Sequence, residues 1–419
     1  MKFTGILRAF SAAALAVGLC GCSIRFGTNV TPENGYYVAK PSDSALTEKL
    51  GVTYAEFMND YTYYLNGMGI EDDSAESVAE TCKSRRYAII ESLILEKICV
   101  LKAEEYGVSE LSEDEIKQAQ SMADAIIEER TDYYAKNLDY GTLEPTELSD
   151  EEKQKRAGEA LDKALAEYGF TREDYLEKQK RYVLGFKLLK AIGETLDRGD
   201  AEKQFDESAK LAKETYESSV TDYEQSGLSQ YYVPEGSRFI KHILLNFSDD
   251  AVSAITMTRK SGDSEGADKL REENAAALDE KLAEVLGKLN DGGNWDEISN
   301  EYSSDKSGNS LYPDGYFLIP NGTTFMDEFK NAAFSMEKIG DMTTCVTDYG
   351  VHILLYSSDA SITESDREIV IETLFAKMMQ QEFTKKTAEW IKEYGFYDNI
   401  DYTVLEIDKP TPTDSESSQ

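Results

Sequence analysis

The sequence predicts an α+β protein, a long helical stretch followed by a mixed domain of roughly 120 residues. Three observations carry this expectation. Apolar residues recur at three- and four-residue spacing from Thr53 to about Tyr223. That period stops at Val233-Pro234-Glu235-Gly236. Arg238 to Phe247 then turns to the β-branched and large apolar residues that suit a strand.

From the N-terminus, the first segment reads as a processing signal rather than as structure. Lys2 and Arg8 form a basic start and Ala9 to Leu19 a short apolar core. Leu19-Cys20-Gly21-Cys22 then has the form of a lipobox, with a small residue before the cysteine that takes the lipid. Residues 1–22 are expected to be a lipoprotein signal segment, with Cys22 the lipid attachment site. A plain secretory signal is the rival reading. The apolar run falls far short of the roughly 20 residues a membrane span needs. Two acyl chains on Cys22 would anchor the protein where a single chain is marginal. Residues 23–45, polar with turn material at Asn34-Gly35, are expected to be a tether.

Residues 46–234 read as one helical domain. Thr53 with Glu56, Ser112 with Glu115 and Ser149 with Glu152 each place an N-cap oxygen three residues ahead of a carboxylate, so helices start there. Between them, Ile89, Ile90, Leu93, Ile94, Ile98 and Leu101 form a stripe that buries one face. Residues 236–357 are the mixed domain: a first strand, a polar insert to about Asp268, a helix to about Leu289, and a short helix from Trp295. Further strands are expected near Gly315 to Leu318, Thr343 to Thr347 and Val351 to Tyr356. Residues 358–408 carry a last helix, from about Glu364 to Tyr394, whose apolar positions Ile369, Ile371, Leu374, Met378 and Phe383 need a partner. Residues 409–419, rich in Pro, Thr and Ser, are expected to be a disordered tail.

Composition bounds the function. At 419 residues and 41% hydrophobic content the chain can bury a core in two or three domains. Its net charge of -36, from 80 acidic against 44 basic residues, opposes nucleic acid and anionic lipid as partners. That acidity reads as a solvated surface, ahead of the rival reading of an adaptation to basic clients. Without Cys20 and Cys22, the cysteines left are Cys82, Cys99 and Cys345. Cys82 and Cys99 would stand about 25 Å apart on one helix, so no disulfide framework is expected. No metal site and no cofactor is expected either, since the chain has two histidines and no Cys-x-x-Cys.

Both histidines fall in the mixed domain, in Lys241-His242-Ile243-Leu244 and Tyr349-Gly350-Val351-His352-Ile353. Each alone reads more often as a satisfied structural side chain than as a catalyst. Their surroundings decide. His-Ile-Leu on the first strand is followed by Gly293-Asn294-Trp295, Tyr302-Ser303-Ser304-Asp305 and Gly315-Tyr316-Phe317. Next come Phe325, Phe329, Ala332-Ala333-Phe334, Ile339-Gly340-Asp341, Thr347 and Tyr349-Gly350-Val351-His352. In this order, from about Ser237 to Ser357, the sequence resembles the parvulin family of peptidyl-prolyl isomerases. The resemblance implies a four-stranded antiparallel sheet with surrounding helices, inserted in or appended to an all-α domain. By it His242 and His352 are paired imidazoles, Asp305 stands where the family has Cys or Asp, and Thr347 is the hydroxyl beside them. Phe317, Phe325, Met326 and Phe329 would bind substrate. The chain departs from the family's Gly-Gly-Asp-Leu-Gly at Leu311-Tyr312-Pro313-Asp314-Gly315, where Asp314 replaces a pocket-wall leucine.

The helical part resembles the chaperone domains of extracytoplasmic foldases and survival-type chaperones, in Tyr106-Gly107-Val108-Ser109 before Ser112-Glu113-Asp114-Glu115-Ile116 and in Tyr168-Gly169-Phe170-Thr171 before Tyr175-Leu176. Together the two resemblances imply a foldase, lipid-anchored on the extracytoplasmic side of the cell membrane. It would act on unfolded or partly folded secreted polypeptides with Xaa-Pro bonds, and a homodimer is left open. The alternative is a non-catalytic holdase with a degenerate parvulin domain, and a third reading is a lipoprotein that scaffolds an envelope assembly.

Overall fold

The computed structural model describes Glu33, residues 35–137 and residues 148–408. The expected signal segment with Cys22 and the expected tail from Lys409 lie outside the described residues. The fold is α+β and divides into two compact units, one from Met1–Asp197 with Ala376–Gln419 and the other Arg198–Phe375.

In the first unit, β1 (Tyr37–Ala39) pairs antiparallel with β2 (Val52–Thr53). Helices α1 (Tyr54–Met68), α2 (Ala79–Glu105), α3 (Glu113–Asn137), α4 (Asp150–Ala166) and α5 (Arg172–Gly193) follow. The expected caps are formed. Thr53 accepts from the Glu56 N–H while the Glu56 carboxylate takes the Thr53 N–H at 2.8 Å, and Ser112 and Ser149 accept from the N–H groups of Glu115 and Glu152. Gly107 (φ 70°) and Gly169 (φ 74°) end α2 and α4 in the left-handed region. Val108 and Phe170 then donate back to Ala103 and Leu165, closing two helix hairpins.

Ile90, Ile94 and Ile98 of the expected stripe pack with Tyr61, Leu65, Leu188 and Ile192, while Ile89 and Leu101 stay half-buried beside them. Phe383, Trp390 and Phe396, far along the chain, complete the same core. The tether expectation fails at residues 37–41, where β1 forms, while Ser42 to Ala45 are exposed. Val38, Ala39, Leu50 and Val52 are buried in this core, and Asp401 N–H donates to the Val38 carbonyl. A polar run hides this because several of the apolar partners, Phe396 and Ile400 among them, are more than three hundred residues away in sequence.

In the second unit, α6 (Arg198–Ser218) and α7 (Val220–Gln225) precede β3 (Arg238–Asn246). Then come α8 (Asp249–Lys260), α9 (Ser264–Ala276), α10 (Asp279–Asn290), α11 (Trp295–Tyr302), α12 (Lys306–Leu311) and β4 (Tyr316–Leu318). Helix α13 (Asp327–Ser335), β5 (Met342–Thr347) and β6 (Gly350–Asp359) follow, and α14 (Glu364–Glu393) runs from this unit into the first. The sheet is antiparallel in the order β4-β3-β6-β5. One face, through Ile243, Leu245, Val351 and Ile353, packs on Ile255, Val285, Leu289 and Ile298 of α8, α10 and α11. The other, through Ile240, Leu318, Leu354 and Tyr356, packs on Phe329 and Ala333 of α13.

Three details differ from the sequence reading. The insert before Asp268 is helical: Ser248 caps α8, Asp263 caps α9, and Ile255 and Ala267 are the few apolar residues they bury. The unit boundary falls at Arg198 rather than near residue 235, because Ala212 and Tyr223 pack on Ile319 after β4, and Tyr216 donates to the Pro320 carbonyl at 2.9 Å. Ile369, placed on the apolar face of the last helix, is exposed.

Candidate active site

The site lies on the α13 side of the sheet. On β3 and β6 alternate residues share a face, so Ile240, His242 and Leu244 align with Tyr356, Leu354 and His352 in the antiparallel register. His242 and His352 therefore meet, Nδ1 to Nδ1 at 3.2 Å, both buried. Asp305 reaches them from the start of α12, where Ser303 and Ser304 pin its loop to β3. The Ser303 hydroxyl oxygen accepts the N–H of Leu244 at 3.1 Å and of Asp305 at 3.2 Å, and Ser304 N–H donates to the Leu244 carbonyl at 2.9 Å. Asp305 Oδ2 then lies 2.8 Å from His242 Nε2, and Thr347 Oγ1 lies 2.8 Å from His352 Nε2.

These partners assign every proton. The Asp305 carboxylate can only accept, so His242 carries its proton on Nε2 and presents Nδ1 as an acceptor. His352 must then donate from Nδ1, leaving Nε2 to accept from the Thr347 hydroxyl, whose oxygen takes the Tyr349 N–H at 3.2 Å. Both imidazoles are neutral in this arrangement. Burial lowers His242, with Asp305 partly opposing, and burial plus the neighbouring imidazole push His352 down to about 3. Burial alone would raise the Asp305 carboxyl, but donors from Tyr316, His242 and the Gly308 N–H outweigh it and hold the group below its usual range.

The walls are aromatic. Phe329 stands edge-on to both imidazoles, with ring centroids 5.7 Å from His242 and 5.4 Å from His352, and stacks on Phe325 at 5.5 Å. Phe325, rather than Met326, makes this contact; Met326 is the half-buried N-cap of α13. Phe317 is off the site. It pairs with Phe239 and packs toward Tyr223 and Ile319, and its strand neighbour Tyr316 takes the expected place. Tyr316 stands edge-on to His242 at 5.1 Å and to Phe325 at 5.6 Å, and its hydroxyl donates to Asp305 Oδ2 at 2.6 Å. The motif Gly315-Tyr316-Phe317 contained both residues, but strand parity alone decides between them. Asp314 is exposed beside Gly315, whose φ of 109° and 2.6 Å Cβ approach to the Ile240 backbone admit no side chain.

The neutral histidines predict an acid-sensitive unit. An unfolded histidine titrates near its model value of 6.5 while His352 resists protonation down to about 3. Between those values the unfolded chain binds more protons, so stability is full above pH 6.5 and falls as the pH drops. One such group contributes a loss of about 2 kcal/mol between pH 7 and pH 5, above the range where most carboxylates titrate. Urea unfolding followed by Trp295 fluorescence in a Trp390→Phe background should show it, and a flat profile would refute the neutral pair.

Residues 233–358 match the family described as the PPIC-type PPIASE domain. The chain is 34% identical over 122 residues to a foldase protein PrsA 2 of Listeria innocua, an alignment covering 28% of this chain and 40% of that protein. It is 30% identical over 135 residues to the foldase protein PrsA of Oceanobacillus iheyensis, covering 29% and 43%. The chain thus spans about two fifths of the length of the curated relatives it matches. Among solved structures, PrsA from Bacillus subtilis is similar at 16% identity over 85% of this chain and 93% of that one, with a TM-score of 0.23. PrsA from Streptococcus pneumoniae is similar at 17% identity over 79% and 88%, with a TM-score of 0.20. The family model thus matches residues 233–358, the same segment whose histidine and aromatic motifs resemble the parvulins.

Proposed function

We propose that the chain is a peptidyl-prolyl cis-trans isomerase and foldase, acting on unfolded or partly folded exported polypeptides at Xaa-Pro bonds. The observation that carries this reading is the Asp305 carboxyl group bonded to the buried His242–His352 pair beside the Phe325–Phe329 rings. A prolyl bond turns slowly because partial double-bond character imposes a barrier of about 18–20 kcal/mol. Phe325 and Phe329 would grip the proline ring and exclude water, disfavouring the charge-separated amide. Asp305 near the substrate carbonyl would oppose negative charge on that oxygen, so the twisted bond is bound better than the planar one. His242, His352 and Thr347 fix the geometry, and no covalent step is needed.

The first unit, residues 46–197 with the end of the late helix from Ala376, would cradle clients, and Cys22 would carry the lipid that holds the protein at the extracytoplasmic face of the membrane. Among the described residues no helix is long and apolar enough to cross a membrane. A second reading, a non-catalytic holdase, is favoured by the exposed Asp314 where the family keeps leucine. The test is the cis-to-trans rate of a short unphosphorylated Xaa-Pro peptide with the purified chain from Ser23 onward, beside a His242→Ala, His352→Ala double variant. Acceleration that the variant loses supports the isomerase. A folded parent that gives none leaves the holdase.

A further inference from the structure

We infer that Tyr316 is a positioning residue of this site, its hydroxyl keeping the Asp305 carboxylate charged and aimed at His242. The inference rests on the isomerase reading for its catalytic consequence, though not for its geometry. Asp305 Oδ2 is shared by two donors, the Tyr316 hydroxyl at 2.6 Å and His242 Nε2 at 2.8 Å, and Oδ1 accepts the Gly308 N–H at 3.1 Å. Held at both oxygens and from β3, β4 and α12, the carboxylate cannot turn without losing a charge-assisted bond.

The surroundings are shaped to bring that hydroxyl in. The Tyr316 ring is fixed between Phe325 at 5.6 Å and Tyr312 at 5.0 Å. A Cβ on Gly308 would strike the Tyr316 hydroxyl and the Asp305 carboxylate, so the first turn of α12 is built on the one residue that leaves room. Preceding Tyr316, Gly315 takes a backbone conformation and an approach to Ile240 that other residues do not adopt, setting the strand start that turns Tyr316 toward the histidines.

The chemistry calls for such a donor. The titratable groups facing Asp305 are His242 from β3 and Tyr316 from β4, with His352 of β6 and Tyr312 behind them and the exposed Lys306 following in the chain. When a proline ring displaces water from the aromatic pocket, a carboxylate supported by one neutral imidazole and the Gly308 N–H alone would take up a proton more readily and lose the charge proposed to act on the substrate carbonyl. A phenol already bonded to it keeps the charge in place, and it does so without adding a cation that would cancel it.

Tyr316→Phe removes the hydroxyl and keeps the ring contacts, so it separates positioning from packing. In the chain from Ser23 onward, the Asp305 carboxyl carbon and the His242 and His352 ring nitrogens are followed by NMR against pH, with kcat/KM for the Xaa-Pro peptide measured over the same range. Expected are an upward move of the Asp305 midpoint, a matching upward move of the acid limb of kcat/KM, and about a ten-fold lower value at neutral pH. Unchanged Asp305 and imidazole titrations in the variant overturn the inference. A parent that folds and does not catalyse sinks the isomerase reading instead, while the carboxyl titration still decides the role of Tyr316. Should Tyr316→Phe fold poorly, Gly308→Ala displaces the same hydroxyl and must move the Asp305 midpoint in the same direction.

Discussion

Replacing Asp305 by Ala is expected to slow prolyl isomerisation about a hundred-fold, the size of effect seen when one fixed electrostatic group is removed from a dry site. The loss should fall on kcat more than on KM, because in the proposed mechanism the carboxylate would act on charge that changes as the amide twists while Phe325 and Phe329 would still hold the ring. The domain should survive. His242 Nε2 and the Tyr316 hydroxyl lose their common acceptor, a cost of about 1–3 kcal/mol, but Ile240, Leu318, Phe329, Ala333 and Leu354 keep their packing. Asp305→Asn sharpens the result, since the amide retains an acceptor for the Gly308 N–H and loses the charge. A rate unchanged in both variants, with the fold intact, would remove Asp305 from the mechanism.

Asp73→Ala is expected to destabilise the first unit by about 3–5 kcal/mol, the cost of stranding a buried charge. Asp73 and Arg86 form a buried ion pair, and the Tyr61 hydroxyl donates to Asp73 at 2.7 Å while accepting from Arg86 Nε at 2.9 Å. Arg86 reaches further, to the carboxylate and the carbonyl of Glu406, each at 3.3 Å, so it also ties the segment after α14 to α2. Without Asp73 the guanidinium keeps the Tyr61 hydroxyl and, as its remaining carboxylate, the partly exposed Glu406, and the phenol loses its bond to Asp73. Unfolding in denaturant, read by Trp390 in a Trp295→Phe background, measures the change. A double Asp73→Leu, Arg86→Met variant should recover most of the stability, because an apolar pair of similar volume needs no compensation. A loss below about 1 kcal/mol for Asp73→Ala would mean that Glu406 alone satisfies Arg86.

The fold was legible wherever local chemistry sufficed. Thr53, Ser112 and Ser149 announce helix starts because a cap needs one side-chain oxygen ahead of the first turn, to which Glu56 and Glu115 add a returning carboxylate. The stripe of Ile90, Leu93, Ile94 and Ile98 announces a buried helical face because the helix period itself brings those side chains into line. The two histidines, Asp305 and Thr347 were nameable from their motifs, and they meet through bonds of 2.8–3.2 Å.

What tertiary structure decided are the matters of parity and distant partnership. A shift of one residue along a strand exchanges its faces, so Tyr316 rather than Phe317 enters the site once β4 pairs Tyr316 with Ile240. The direction of the proton chain from Tyr349 through Thr347, His352 and His242 to Asp305 exists only when five residues from three segments, the β5–β6 hairpin, β3 and the loop before α12, are assembled. The segment around Val38 and Ala39 reads as a tether until Ile400 and Phe396 close over it. A chain's composition sets which groups are able to bury or to donate, and only the register between remote segments sets which of them do so.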